Sequence, residues 1–457
     1  MNAILAKYNV VGGQMAITYQ GRLVYNRGYG ITDTLDKRKV QPNSIFRLAS
    51  VSKAITSIAV MKLFEAGTID LDRTVLGSSG ILNDTIYQNA LDPRMYKFTV
   101  RQLLNHSAGF TFNFTTEPLW KTYEIALATG ENPPTNSFEN VLKWTLKHDT
   151  LGFSPGTSVF YSNFGYTLLG LVIERVTGKK YEDYVRDSIL TPLGIVDMHE
   201  GRTLQHDKYP NEVSYYTYPG APLSTSIFTG IPKSVPAQYG GYNWEIMTPA
   251  GGWVASAQDL CKLLTAVDGI SNRQDILTSA TQDTMTQKSK NWPEYGLGWF
   301  VNADEKYHTG GIEGTATIIR TNKKHQTSYA ILFNTLPEVY TPFYLEFMSM
   351  VSDEFPNIPT WPTLDLFDNV NVLNDFQDNS TITIYSNHQD SKLSIDNFPS
   401  SFQGTLTVYS VIGQKLLQKE ITGARSSISV DMLPTGMYLL VIENKDRTVM
   451  TRTVFIH

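Results

Sequence analysis

Apolar residues along the chain recur with two different spacings, and the changes of spacing divide it into regions. Met1 to Tyr8 predicts a short helix; Gly13 to Tyr19, a Gln20-Gly21 turn and Arg22 to Tyr25 predict a strand hairpin. Ile55, Ile58, Ala59, Val60, Met61, Leu63 and Phe64 then form a nearly unbroken apolar run stopped by Gly67, the pattern of a helix buried on almost every side. Further helices are expected from Val100, over Glu139 to Lys147, after Asn163 (Leu168, Leu169, Val172, Ile173 and Val176 inward, Gly178 as stop), over Tyr181 to Ile189, and around Cys261. Tyr295 to Phe300, Gly311 to Arg320 and Thr327 to Phe333 read as consecutive strands, and Pro342 to Phe355 as a closing helix with proline first. Strands at both ends and helices between them predict a mixed α/β (α+β) domain over residues 1–355, with one antiparallel sheet assembled from distant segments. Phe110 to Ser137 and Gln205 to Met247 are long, aromatic and without period, as functional or mobile loops are.

Residues 356–380 change character: Pro356, Pro359 and Pro362 precede a scatter of Asp and Asn from Asp365 to Asp378, which reads as a linker. Beyond it only strand signals occur: Thr381 to Tyr385, Lys392 to Ile395, Thr405 to Tyr409, Ser427 to Val430 and Met437 to Ile442. Their close spacing predicts an all-β sandwich over 381–457.

A length of 457 residues agrees with two domains. The net charge of −5, from 38 basic and 43 acidic residues, provides no polycationic face for nucleic acid or an anionic membrane. The single cysteine, Cys261, can form neither an intramolecular disulfide nor a zinc set and is expected to pack in a core. No apolar run approaches the roughly 18 to 20 residues of a membrane span. Met1 to Tyr8 also lacks the basic start and long apolar centre of a signal peptide.

Three stretches carry candidate chemistry. If Ser50 opens the buried helix, Lys53 lies on the same face, its amine beside the Ser50 hydroxyl. A hydroxyl needs such a neighbour to take its proton, and burial disfavours the ammonium form that could not do so. The plain alternative is an N-capping serine followed by a solvated lysine, since on the order of one or two Ser-x-x-Lys arise by chance in a chain this long. In Tyr161-Ser162-Asn163, a phenolate or phenol could stand beside Ser50, a nearby Lys53 charge favouring the phenolate as proton acceptor, while Asn163 would bond Lys53 and a substrate carbonyl. The alternative is a strand tyrosine with a capping asparagine. In His308-Thr309-Gly310-Gly311, paired glycines suit a strand whose backbone something approaches closely, such as a substrate adding along the edge. A turn before a strand is the alternative.

Taken together and in this order, the stretches resemble the β-lactamase and penicillin-binding-protein superfamily of serine hydrolases, most of all its class C β-lactamase and DD-carboxypeptidase branch. The resemblance rests on Ser50 and Lys53 (S-x-x-K), Tyr161 and Asn163 (Y-x-N), and His308, Thr309 and Gly310 (Lys/His-T-G). Leu103 to Gly109, Pro249 to Gly252 and Tyr295 to Trp299 support it. It implies a β-lactamase-like fold and a two-step acyl transfer without metal or cofactor. Ser50 is the implied nucleophile, Lys53 and Tyr161 manage its proton, and the backbone N–H groups of Ser50 and Gly311 form the oxyanion hole. Asn163, His308, Thr309 and Gly310 are the implied substrate contacts, and the two long segments the walls of the cleft. β-Lactamases typically carry lysine where His308 stands, so the preferred substrate is a D-amino-acid peptide, such as a peptidoglycan stem peptide, ahead of a β-lactam. An ester is the runner-up, and a catalytically silent binding protein the rival from another class.

The C-terminal region resembles the sorting domain of the type IX secretion system of Bacteroidetes, through Ile384 to Asn387, Val408 to Gln414 and Leu433 to Tyr438. It departs from the usual Tyr-Pro-Asn-Pro at Tyr385-Ser386-Asn387-His388, and its end, Arg452 to His457, is less basic than is common. The resemblance implies a secreted or cell-surface bacterial protein handled by secretion machinery, with a non-catalytic tail. A generic accessory β-sandwich is the alternative.

Overall fold

The fold is built around a six-stranded sheet. Its strands are β1 (Gly12–Tyr19), β2 (Arg22–Gly30), β3 (Phe300–Val301), β4 (Glu305–Ile312), β5 (Thr315–Asn322) and β6 (Thr327–Phe333), in the order β2-β1-β6-β5-β4-β3. Both chain ends of the domain thus meet in one sheet, as the distant strand signals predict. The computed structural model describes residues 1–230, 233–270, 272–354, 358, 361–363, 365–367, 383–387, 392–396, 402–410, 414–433, 436–444 and 449–456. Its contacts divide into two units, Met1–Ala16 with Gly28–Asn357 and Ile17–Arg27 with Ile358–His457.

The helices that position the site are α1 (Ser52–Glu65), α2 (Asn163–Thr177), α3 (Ala257–Thr265) and α4 (Tyr340–Glu354). Helix α1 buries every residue from Ser52 to Met61, as its unbroken apolar run demands. The Ser162 hydroxyl caps α2 by accepting from the Gly165 N–H at 3.0 Å, and Gly178 ends it at φ +68°. Cys261 lies fully buried on α3. In α4, Pro342 is the third residue rather than the first.

Two strand expectations need correction. Tyr295 to Trp299 is a bend, because Gly298 takes φ +87° there; only Phe300–Val301 is strand. Gly311 to Arg320 is not continuous either: β4 and β5 are hairpin partners, paired from Glu305↔Asn322 to Ile312↔Thr315 around Glu313-Gly314. His308-Thr309-Gly310 therefore lies inside a strand. On the outer side of β4, β3 pairs only with Lys306 and Tyr307, so among the described residues no strand covers the edge from His308 to Ile312. The stretch 110–137 also holds a helix, Thr122–Thr129, that its aromatic composition conceals.

In the C-terminal region, Thr383–Asn387, Lys392–Asp396 and Arg425–Ser429 form one sheet. Lys415–Thr422, Gln403–Ser410, Gly436–Asn444 and Val449–Ile456 form another. Leu393, Ile395 and Ile428 from the first share one apolar cluster with Leu406, Val408, Leu440 and Ile442 from the second, the core of an all-β domain. Most of the expected linker 356–380 lies outside the described residues, as do His388, Val411 to Gly413 and Pro434-Thr435. No helix among the described residues is long and apolar enough to cross a membrane.

Candidate active site

Ser50 does not open an α-helix: it is the middle residue of a 3-10 turn, Ala49–Val51, that runs into α1. Ala49 takes φ +46°, a left-handed conformation that costs a residue with a side chain of order 1–3 kcal/mol. The surrounding bonds hold it there. Thr315 Oγ1 donates to the Arg47 carbonyl and Thr317 Oγ1 to the Leu48 carbonyl, both at 2.7 Å, tying the turn to β5.

The three-residue spacing does bring the amine to the hydroxyl. Lys53 Nζ lies 3.2 Å from Ser50 Oγ, 2.8 Å from Asn163 Oδ1 and 2.7 Å from the Ala250 carbonyl. An ammonium has three N–H groups, and these acceptors occupy all of them. Lys53 is fully buried, which lowers its pKa to about 7 against a weaker opposing pull from Glu117. Near neutral pH a large share of the molecules therefore carries a free amine beside Ser50.

Tyr161 lies over the same amine, its ring centroid 4.7 Å from Lys53 Nζ, with its hydroxyl toward Ser50. Desolvation pushes its pKa up and the Ser50 hydroxyl only partly offsets this, so the phenol is favoured and the expectation of a phenolate is corrected.

His308 is placed differently from the sequence expectation. Strand alternation turns its ring into the interior, 1% exposed, within a chain of bonds. The Ser162 N–H donates to His106 Nδ1 (3.1 Å), His106 Nε2 meets Tyr295 Oη (3.3 Å), Tyr295 Oη meets His308 Nε2 (3.1 Å), and His308 Nδ1 meets the Thr309 carbonyl (2.7 Å). A backbone N–H at one end and a carbonyl at the other fix the direction. His106 donates to Tyr295, Tyr295 to His308, and both imidazoles are neutral. Burial first, then the Lys53 charge, hold His308 down to about 3 and His106 well below its ordinary value.

The glycines of β4 also have a different reason than expected. A Cβ on Gly310 would collide with the Leu48 carbonyl and Thr317 Oγ1 and lie 3.0 Å from the Ser50 nitrogen; one on Gly311 would strike the Tyr340 ring. The close approach is made by the protein's own Ser50 turn and by α4.

A cavity of about 420 Å³ opens beside Ser50. Ser50, Asn163 and Gly311 line it with rings from both long segments, Phe114 and Trp120 from the first and Trp244 from the second; His308, Thr309 and Gly310 do not. Sequence reasoning passed over Glu117, 3% exposed with Oε1 unpartnered, which burial pushes up to about 8. The only available signal was an acid beside the apolar Pro118-Leu119-Trp120. Among the described residues no group of three or more His, Cys, Asp or Glu is arranged to hold a metal ion.

Residues 1–343 match the Beta-lactamase family over three quarters of the chain. The chain belongs to that family. Residues 379–457 match the secretion system C-terminal sorting domain, which associates the chain with secretion or the cell surface. Among curated relatives, Protein flp of Staphylococcus aureus (strain N315) is 25% identical over 349 residues, covering 76% of this chain and 64% of that protein. Penicillin-binding protein 4* of Bacillus subtilis (strain 168) is 24% identical, covering 72% of this chain and 69% of its own length. Two solved structures share the fold. The penicillin-binding protein homologue from Pyrococcus abyssi has TM-score 0.60 at 20% identity, covering 100% of this chain and 94% of its own. The D-amino acid amidase from Ochrobactrum anthropi SV3 has TM-score 0.59 at 22%, covering 78% and 96%.

Proposed function

We propose that the chain hydrolyses the amide bond of a D-amino-acid amide or short D-peptide through an acyl-enzyme on Ser50. The observation that carries this reading is the buried Lys53 amine 3.2 Å from Ser50 Oγ, with its pKa lowered to about 7. In the first step Ser50 Oγ bonds the substrate carbonyl carbon as its proton passes to Lys53 Nζ. The oxyanion is held by the N–H groups of Ser50 and Gly311, at the uncovered edge of β4. The C–N bond then breaks, and the departing amine takes a proton from the Tyr161 phenol, which Lys53 replenishes. Water then bonds the acyl carbon as it gives a proton to Lys53 Nζ, and the acid leaves as Lys53 returns that proton to Ser50 Oγ.

The preference for an amide without a nearby carboxylate rests on which cations a substrate could reach. The bonds of Lys53 are occupied within the protein, His308 is neutral, and the fully buried Arg47 donates to the carbonyls of Gln238, Arg202 and Thr203. None of the three lines the cavity, where the carboxylate of a β-lactam or of a peptidoglycan stem terminus would have to be received. The D-configuration is supported only by analogy with the D-amino acid amidase and a D-stereospecific amidohydrolase from Streptomyces. The test is release of p-nitroaniline from D- and L-phenylalanine p-nitroanilide, beside benzylpenicillin hydrolysis. Turnover of the D-isomer at least tenfold above the L-isomer, with benzylpenicillin slower still, is expected. Preference for the L-isomer or for benzylpenicillin overturns the assignment, and turnover unchanged in Ser50→Ala overturns the nucleophile.

A further inference from the structure

We infer that the cavity beside Ser50 receives a positively charged group of the substrate, an ammonium or amidinium among aromatic rings, with Glu313 as its counter-ion. The inference rests on the hydrolase reading and goes beyond it by naming the charge of the substrate.

Glu313 is the single charged residue among those lining the cavity. It sits half-buried in the Glu313-Gly314 turn between β4 and β5, two residues beyond Gly311. That turn is packed in place. Gly314 takes φ +92°, and a Cβ there would come within 2.8 Å of Tyr215 Cβ and 3.0 Å of Gln238 Cβ. Tyr242 Oη donates to Glu313 Oε2 at 2.9 Å, and burial, then the Glu313 charge, push the Tyr242 phenol up and keep it a donor. A phenol orients the carboxylate without neutralising it. Among the described residues no lysine or arginine pairs with Glu313.

The walls suit a cation. The rings of Phe114, Trp120, Trp244 and Tyr340 line the cavity, and Tyr242, which holds the carboxylate, packs behind them against Trp120 at 4.9 Å and Phe114 at 6.4 Å. The face of an aromatic ring attracts a cation, and more strongly once water is displaced. A carboxylate in the same place would meet Glu313 at close range, with no lysine or arginine among the residues lining the cavity to bond it.

The test is binding rather than turnover. 2-Phenylethylammonium and 3-phenylpropionate, of nearly equal size and opposite charge, are titrated into the full chain, the wild type beside Glu313→Gln and Glu313→Asp, with binding read by calorimetry. The ammonium should bind at least tenfold tighter to the wild type. Glu313→Gln should remove most of that ratio, and Glu313→Asp should keep part of it, which a general loss of folding would not do. Equal binding of the two probes, tighter binding of the carboxylate, or an unchanged ratio in Glu313→Gln overturns the inference. If the ratio fails while Ser50-dependent hydrolysis persists, the cation subsite alone falls. If the ratio holds in a protein that hydrolyses nothing, the subsite stands and the hydrolase reading falls.

Discussion

For the individual residues of the site, catalysis turns on one proton. Lys53 must hold a lone pair to accept from Ser50, and burial lowers its pKa to about 7. Below that pH the ammonium predominates and cannot accept, so kcat/KM should rise with pH through about 7 and level off above it. His308, held near 3, should add no second step in that range. A kcat/KM profile from pH 5 to 9 checks both statements. Lys53→Arg keeps a cation but cannot deprotonate, and should lower kcat by about 10²–10⁴-fold with little change in KM. The Ser50–Lys53 relation was legible in the sequence because three-residue spacing survives the change from α-helix to 3-10 turn. The protonation of Tyr161 was not, since it depends on desolvation by segments far along the chain. The orientation of His308 was hidden too: it depends on strand register, which a short motif does not encode.

At the scale of elements, the site is a contact between the Ser50 turn and β4, and Gly310 sets its distance. Gly310→Ala drives a methyl group into the Leu48 backbone, which cannot rotate away as a side chain could. The expected result is at least a hundredfold loss of kcat/KM with a lowered melting temperature but a retained far-UV spectrum, measured on the purified variant. Tyr295 couples the loop after Leu104 to β4 through His106 and His308. Tyr295→Phe leaves both rings without that partner and should cost about 1–3 kcal/mol in denaturant unfolding, the usual penalty for orphaned buried polar groups. The sequence revealed a glycine pair where a close approach was needed, but assigned the approach to substrate. Its apolar run around Tyr295 to Trp299 also read as strand, because the alternation of residue types carries no sign of the left-handed Gly298.

At the scale of the whole molecule, the two family matches, 1–343 and 379–457, are separate in sequence, and the C-terminal strands have an apolar cluster of their own. Deleting 379–457 is therefore expected to leave kcat/KM within about twofold while abolishing export, checked by assay of the purified truncation and by cell fractionation. Loss of turnover in the truncation would tie the tail to the site. The chain spans 64% of the length of the first flp relative, so the activity of that whole protein does not transfer directly. The change to strand signals after residue 380 is what the sequence offered for a separate C-terminal region, and the family match over 379–457 begins beside it. The cleft was readable only as two long aromatic segments, since its shape depends on how Phe114, Trp120 and Trp244 converge. The central claim is an acyl-enzyme on Ser50, and the most direct test is the intact mass of the full chain, quenched in acid at successive times after mixing with the p-nitrophenyl ester of D-phenylalanine. The expected result is a transient gain of one acyl group, mapped to the Ser50 peptide and absent from Ser50→Ala. Steady hydrolysis with no adduct at any time, or the same adduct in Ser50→Ala, would contradict it.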